Sequence, residues 1–269
     1  MQLKNPLTGT QDFEFLKVER DADVAIVSMV RPPVNAVNQE MYVELRELFS
    51  SLDELLPGVS VVILRGEGKH FSAGNDLKEF LTLSSENSPG RMKLVREAFS
   101  SLYDCPVPTI AAVQGFAVGT GVALAGSCDL VVCGASAHFG VPEVGVGVMG
   151  GAKHLSRLAP QQTLRLMYYT ADPIPASDLV AFGGISHIVP DEELLSTAMT
   201  LASRIARHSR IVLRSAKESL NAIEYMPLKA GYELEQSYTN RLAGQPDSLE
   251  ARRAIEEKRS PNFARLRAT

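Results

Sequence analysis

The chain has 269 residues, of which 45% are hydrophobic, enough for one large core and too many for a disordered protein. Its formal net charge of -4 is spread without a run of like sign, which excludes a nucleic-acid footprint and points to a small-molecule substrate. No apolar stretch approaches the ~20 residues needed to span a bilayer, because Asp129 interrupts the longest candidate, Thr109 to Gly134.

Residues 1–17 read as a leader. Up to Phe15 they mix Lys4, Asp12 and Glu14 with Pro6 and Gly9 and lack the apolar centre of a secretory signal. Val24, Ile26 and Val27 predict a strand over 23–30, stopped by Arg31, Pro32 and Pro33. Asn38 then caps a helix whose apolar residues Met41, Leu45, Leu48, Leu52 and Leu55 recur at helical spacing, up to Pro57 and Gly58. Val59 to Leu64 is short and continuously apolar, the pattern of a strand buried on both faces.

A segment rich in Gly and small residues, Gly66 to Asp76, leads into a mobile stretch around Ser84 to Gly90 and a helix from Arg91 to Leu102. Pro108 introduces a strand from Thr109 to Val113, Gly115 turns the chain, and a small-residue helix covers Gly119 to Gly126. Asp129 to Val132 is the next buried strand. Two strand-turn-helix units thus repeat, with the loops Ala73 to Asp76 and Ala117 to Gly121 in equivalent places. After the short strand Ile185 to Val189 the pattern is helical only: Glu192 to Ala206, Ile211 to Ala222, Leu228 to Leu242 and Pro246 to Lys258. The expected organisation is an α/β core over 18–190 and a helical region over 191–269, packed on a partner subunit or on the core. Cys105, Cys128 and Cys133 form no C-x-x-C pair and sit among apolar neighbours, as expected of buried thiols in a reducing, cytoplasmic compartment.

The stretch His70-Phe71-Ser72-Ala73-Gly74-Asn75-Asp76-Leu77-Lys78-Glu79 resembles the first acyl-CoA motif of the crotonase (enoyl-CoA hydratase/isomerase) superfamily. Pro108 to Gly121 resembles the second motif, and Cys128-Asp129-Leu130 followed by Phe139-Gly140-Val141-Pro142-Glu143 resembles the third, in matching order and spacing. The likeness extends from about Val18 to Phe263 and includes Arg31-Pro32-Pro33-Val34-Asn35-Ala36 and Glu257-Lys258-Arg259. It implies a crotonase (ClpP-like) fold, a spiral of ββα units with a C-terminal helical trimerisation region, in a homotrimer or dimer of trimers.

The same resemblance implies a coenzyme A thioester as substrate, no tightly bound cofactor and no metal. Carried over residue by residue, the Asn75 and Thr120 amides form an oxyanion hole for the thioester, and Glu143 is the acid/base. Ala36, Ala73, Gly74, Asp76, Leu77, Lys78, Gly119, Gly121, Pro142 and Lys258 surround the substrate. The physical logic is independent of the family. A thioester enolate carries its charge on oxygen, and a helix start supplies free N–H donors and partial positive charge. Each such donor is worth ~3 to 4 kcal/mol in a transition state. Small residues beside them let the thioester approach the main chain.

One departure bears on the reaction. Family hydratases use two glutamates, and the position of the first is Ala123 here, in Gly121-Val122-Ala123-Leu124-Ala125. Hydration needs one carboxylate for water and another for the proton at the neighbouring carbon, so half of that apparatus is absent. Glu143 alone suits an isomerase that moves one proton between carbons, or a hydrolase that sets water on a β-keto group. A second departure, the short segment Gly145 to Arg157, is similar to a bacterial subgroup containing ring-opening hydrolases of steroid-derived β-keto acyl-CoA. The remaining alternatives are a hydratase with an atypical second acid and an acyl-CoA carrier without chemistry.

His154 is expected to be a packed, hydrogen-bonded residue, and Asp76 and Asp129 to cap turns. Ser84 to Met92, Tyr103 and Met149 to Lys153 are expected to shape the acyl cavity. Gly145-x-Gly147-x-x-Gly150 matches a dinucleotide fingerprint but lacks the preceding strand and the ribose-binding acid. No serine has the context of a hydrolase triad, and no Cys/His cluster has metal-ligand spacing.

Overall fold

A computed structural model describes residues 12–263. Strands β1 (Leu16–Asp21) and β2 (Val24–Met29) form an antiparallel hairpin. Helices α1 (Gln39–Ser50) and α2 (Leu52–Leu55) follow, and β3 (Val61–Gly66) pairs parallel with β2. Next come α3 (Leu77–Phe80), α4 (Ser88–Tyr103), β4 (Thr109–Val113), β5 (Phe116–Val118), α5 (Thr120–Ser127), β6 (Leu130–Gly134) and β7 (His138–Gly140). A 3-10 turn over Pro142–Val146 leads to α6 (Ala152–Leu155), α7 (Gln161–Thr170), β8 (Ile174–Pro175), α8 (Ala176–Val180) and β9 (His187–Val189). Helices α9 (Leu194–Ala206), α10 (Arg210–Ile223), α11 (Leu228–Leu242) and α12 (Pro246–Glu256) complete the chain.

The main sheet runs β1-β2-β3-β4-β6-β9 and is parallel except for the first hairpin. A smaller sheet joins β5, β7 and β8. Alternation along each strand divides the apolar side chains between two layers. Val62 and Leu64 of β3, with Ala111 and Val113 of β4, enter the large core shared with α1, α4 and α5. Val61 and Ile63, with Ile110 and Ala112, face the opposite side, where Leu194, Ala198 and Ala202 of α9 cover them. This is why the parallel strands read as unbroken apolar runs. It also places α9 on the sheet of its own chain, while α10 packs mainly on α11.

The α/β architecture agrees with the expectation, and several boundaries differ. β1 begins at Leu16, inside the segment read as a leader, because Leu16 and Val18 alternate inward while Lys17 remains outside. Phe13 and Phe15 also pack on the core, so the leader reading ends short of them; residues 1–11 of that segment lie outside the described residues. Helix α4 starts at Ser88 within the stretch read as mobile, with Pro89 in its first turn, where a missing N–H costs nothing. The turn before it is tied by Ser84 N–H to Asn87 Oδ1 and by Asn87 Nδ2 to the Thr82 carbonyl. The helix begun at Asn38 is divided at Ser51. Among the described residues, no helix is long and apolar enough to cross a membrane.

Candidate active site

Two loops leave adjacent strand ends and are pressed together. Ser72 N–H donates to the Phe116 carbonyl at 3.0 Å, and Val118 N–H donates to the Ser72 carbonyl at 2.9 Å. A Cβ on Gly121 would lie 2.6 Å from the Ser72 carbonyl oxygen, so only a residue without a side chain permits this approach. Beyond these contacts the first loop places Asn75 at a bridge to Val37, and the second places Thr120 at the first position of α5. The amide N–H groups of Asn75 and Thr120 find no acceptor among the described residues.

Both residues border a cavity of about 340 Å³, which also takes in Tyr42, Ala123 and Glu143. Glu143 stands in the first turn of the 3-10 segment opened by Pro142. Burial pushes its carboxyl up from the ordinary 4.5 to about 6, and a hydrogen bond to backbone opposes the shift only in part. Its Oε2 is buried without a hydrogen-bond partner. A buried carboxylate oxygen of this kind is a proton acceptor in need of a proton or a donor. Two unengaged amides and such a carboxylate on one cavity can hold negative charge on an oxygen and move a proton nearby.

The rest of the cavity is mainly apolar, with Phe80, Leu83, Met92, Val95, Phe99, Val148 and Met149 in its wall. Sequence reasoning missed the polar members Gln39, Tyr42 and Glu79, while Ser88 and Arg91 fall in the Ser84 to Met92 stretch expected to shape the cavity. Burial raises the Glu79 carboxyl above its ordinary value, although Gln39 N–H donates to its Oε2 at 2.9 Å. Arg91 donates to the Glu79 carbonyl and to Thr82 Oγ1, both at 2.8 Å. Tyr42 lies on the helix begun at Asn38 but outside the apolar positions read there, and Arg91 read as a helix start within the stretch expected to shape the cavity.

Of the substrate-side residues predicted from sequence, Asn75, Asp76 and Thr120 border the cavity with Glu143. Asp76 caps α3 through Lys78 N–H and Glu79 N–H and is ion-paired with Arg31, which holds its carboxyl below the usual range. Arg31 also donates to the Ala36 carbonyl at 2.9 Å, anchoring the segment that carries Val37 beside Asn75. Ala73, Leu77 and Lys78 are exposed around the loop, while Gly74, Gly119 and Gly121 are buried beneath it. Lys258 is exposed at the end of α12 and does not border the cavity.

Other placements are structural. Asp129 accepts from Thr109 N–H at 2.7 Å and from Lys217 Nζ at 2.8 Å, tying β4 to α10. His154 packs edge-on against Phe99 at 5.0 Å, as expected of a packed residue, but its Nδ1 is buried without a partner. Tyr103 and Lys153 do not line the cavity. Tyr103 donates to Glu224, and Lys153 sits over the Tyr225 ring. The three cysteines are free and buried, and burial raises each thiol.

Residues 19–265 match the family model described as enoyl-CoA hydratase/isomerase. The chain belongs to that family of the crotonase superfamily. A Rhodococcus jostii (strain RHA1) protein named (7aS)-7a-methyl-1,5-dioxo-2,3,5,6,7,7a-hexahydro-1H-indene-carboxyl-CoA hydrolase is 40% identical over 222 residues, 80% of this chain and 84% of that protein. The mitochondrial enoyl-CoA hydratase of Pongo abelii is 33% identical, over 96% of this chain and 90% of that protein. The solved structure of Pseudomonas aeruginosa DspI superposes with a TM-score of 0.90 at 26% identity, covering 95% of this chain and 98% of that one. The crotonase fold and an acyl-CoA enzyme of this family are thereby established.

Proposed function

We propose that this crotonase-family enzyme hydrolyses a carbon–carbon bond in a β-keto acyl-CoA thioester. The observation that carries the reading is the Glu143 carboxylate, which borders the cavity with one buried oxygen that has no partner. Glu143 stands with a raised carboxyl and a free Oε2, and Ala123 occupies the place of a hydratase's other glutamate. Asp76 is bound up in a cap and an ion pair, and Glu79 accepts from Gln39 N–H. The 40% identity to the indene-carboxyl-CoA hydrolase, against 33% to the mitochondrial hydratase, supports the same choice.

In this reading the thioester carbonyl oxygen accepts from the Asn75 and Thr120 amides. Glu143 takes a proton from water as the water oxygen bonds to the β-keto carbon. The bond between that carbon and the α-carbon breaks, and its electron pair passes into the thioester enolate held by the two amides. Glu143 then returns the proton to the α-carbon. The products are a carboxylic acid and a shortened or ring-opened acyl-CoA, and the water is consumed in full. Ala36, Ala73, Gly74, Asp76, Leu77, Lys78, Gly119, Gly121 and Pro142 lie along the route of the thioester and pantetheine, and coenzyme A enters as substrate. The reaction as written needs no resident cofactor.

The second reading is a double-bond isomerase, favoured by the same lone carboxylate, with Glu143 removing a proton at one carbon and returning it at another. We also assign the enzyme to the cytoplasm and to a homotrimer or dimer of trimers. Exposed Leu228 and Ile255 on the C-terminal helices support the assembly, and three unpaired buried cysteines support the compartment. Assay of purified protein with cyclic β-keto acyl-CoA, 3-enoyl-CoA and 2-enoyl-CoA tests the assignment. Cleavage of the first, lost in Glu143→Gln with coenzyme A binding retained, is expected. Turnover of 3-enoyl-CoA alone would establish the isomerase, and binding without product a carrier.

A further inference from the structure

Asn75 and Thr120 come from separate loops whose backbone bridge ends at Ser72 and Val118, short of both residues. Past that bridge their side chains meet at one atom. The hydroxyl of Tyr42, on α1, donates to Asn75 Oδ1 at 2.6 Å and lies 2.6 Å from Thr120 Oγ1. A phenol has one proton to give, so when it donates to Asn75 its oxygen accepts from the Thr120 hydroxyl. The hydrogen-bond chain runs Thr120 to Tyr42 to Asn75 and closes the gap between the two loops.

The anchor of this chain is rigid. Tyr42 is 3% exposed, its ring meets Phe99 edge-on at 6.0 Å, and α1 is packed against α4. Burial, opposed by the Thr120 contact and assisted by Glu79 and Glu143, drives the phenol far above its ordinary value, so it stays protonated and keeps its donor. The cavity wall includes Tyr42 itself, together with Thr120 and Ala123.

We propose that Tyr42 is a positioning residue that sets the separation and aim of the Asn75 and Thr120 amides through their side chains. The proposal rests on the reading of those amides as the thioester oxyanion hole. A short hydrogen-bonded chain from a packed helix removes slack that two loops would otherwise retain, and donors aimed before the reaction stabilise developing charge best. The hydroxyl needs no contact with substrate to do this.

The test uses acetoacetyl-CoA as probe, because its bound enolate fraction, read by ultraviolet difference absorbance, reports oxyanion stabilisation directly. In Tyr42→Phe the enolate-to-keto ratio should fall about tenfold, less than the 10²–10³ that loss of a donor itself costs. Affinity for free coenzyme A should change less than about twofold, and the circular dichroism spectrum should be retained. Thr120→Val keeps its amide but breaks the same chain. It should reproduce the loss, and the double variant should add little to either single one. This second variant also serves if Tyr42→Phe folds poorly. A wild-type enolate ratio in both single variants would overturn the role of Tyr42 while leaving the oxyanion reading intact. Wild-type protein that binds acetoacetyl-CoA without enolising it would overturn the oxyanion reading, and this inference with it.

Discussion

The Cα of Gly119 faces the carboxylate of Glu143, so closely that a methyl group built on it would lie 2.9 Å from Oε1. Gly119 also holds φ at +53°, where side chains are rarely accommodated. One residue before the Thr120 amide, the chain is thus shaped to leave room for that carboxylate. Gly119→Ala should displace the carboxylate and lower kcat by about 100-fold, the scale of an ångström's misplacement. Stability should fall by about 1–3 kcal/mol from the backbone strain. Steady-state kinetics and a urea denaturation curve check both effects.

Burial raises the Glu143 carboxyl to about 6, and in the proposed reaction it acts as the base when ionised. The rate should therefore be flat above pH 6 and fall about tenfold per unit below it, with the limb absent from any residual activity of Glu143→Gln. The stability consequence has the opposite sense. Between the ordinary 4.5 and about 6 the folded chain retains a proton that the unfolded chain has lost, so stability falls as pH rises through that window and is level above it. Glu143→Gln should then raise Tm more at pH 8 than at pH 4, as read by calorimetry.

Ala123 borders the cavity that already holds Glu143. Ala123→Glu would bring a second carboxylate into that space, and like charges cannot both ionise at little cost. The acid limb of the pH–rate profile should move above 6. Hydration of a simple 2-enoyl-CoA, followed by loss of enoyl absorbance, should rise from baseline.

Asp129 accepts from the buried Lys217 ammonium and from the Thr109 backbone. Asp129→Ala leaves that cation without its carboxylate, and the expected loss is about 3–5 kcal/mol. A lowered denaturant midpoint, with KM unchanged in the protein that remains folded, checks it. Lys217→Met with Asp129→Leu should restore most of the loss.

The family was legible because its motifs are local residue patterns, and the loops that carry them depend on local chain geometry. The Ser72-to-Asp76 turn, the small residues around Gly119 and the apolar runs of β3, β4 and β6 each state their conformation within a few residues. Phe116–Val118 and His138–Gly140 did not, since these three-residue strands form by pairing with each other and with Ile174–Pro175, distant in sequence. The edge strand Leu16–Asp21 was hidden by its alternating charges. Tyr42 was not legible as part of the site, because a hydroxyl on the helix after Asn38 leaves no periodic signal.

The sequence by itself carried the resemblance to the superfamily, the α/β order of elements and an alanine at position 123, and through that resemblance the expectation of amide donors at Asn75 and Thr120 and of a base at Glu143. The motifs and the element order are matters of residue type and local spacing, and the roles follow from the resemblance. Only the tertiary structure decided that Glu143 is buried enough to hold its proton to about 6, and that the phenol of Tyr42 lies between two loops far from it in sequence. Desolvation and hydrogen-bond closure depend on the approach of groups from distant parts of the chain, and packing of α1 and α4 against the sheet sets that approach.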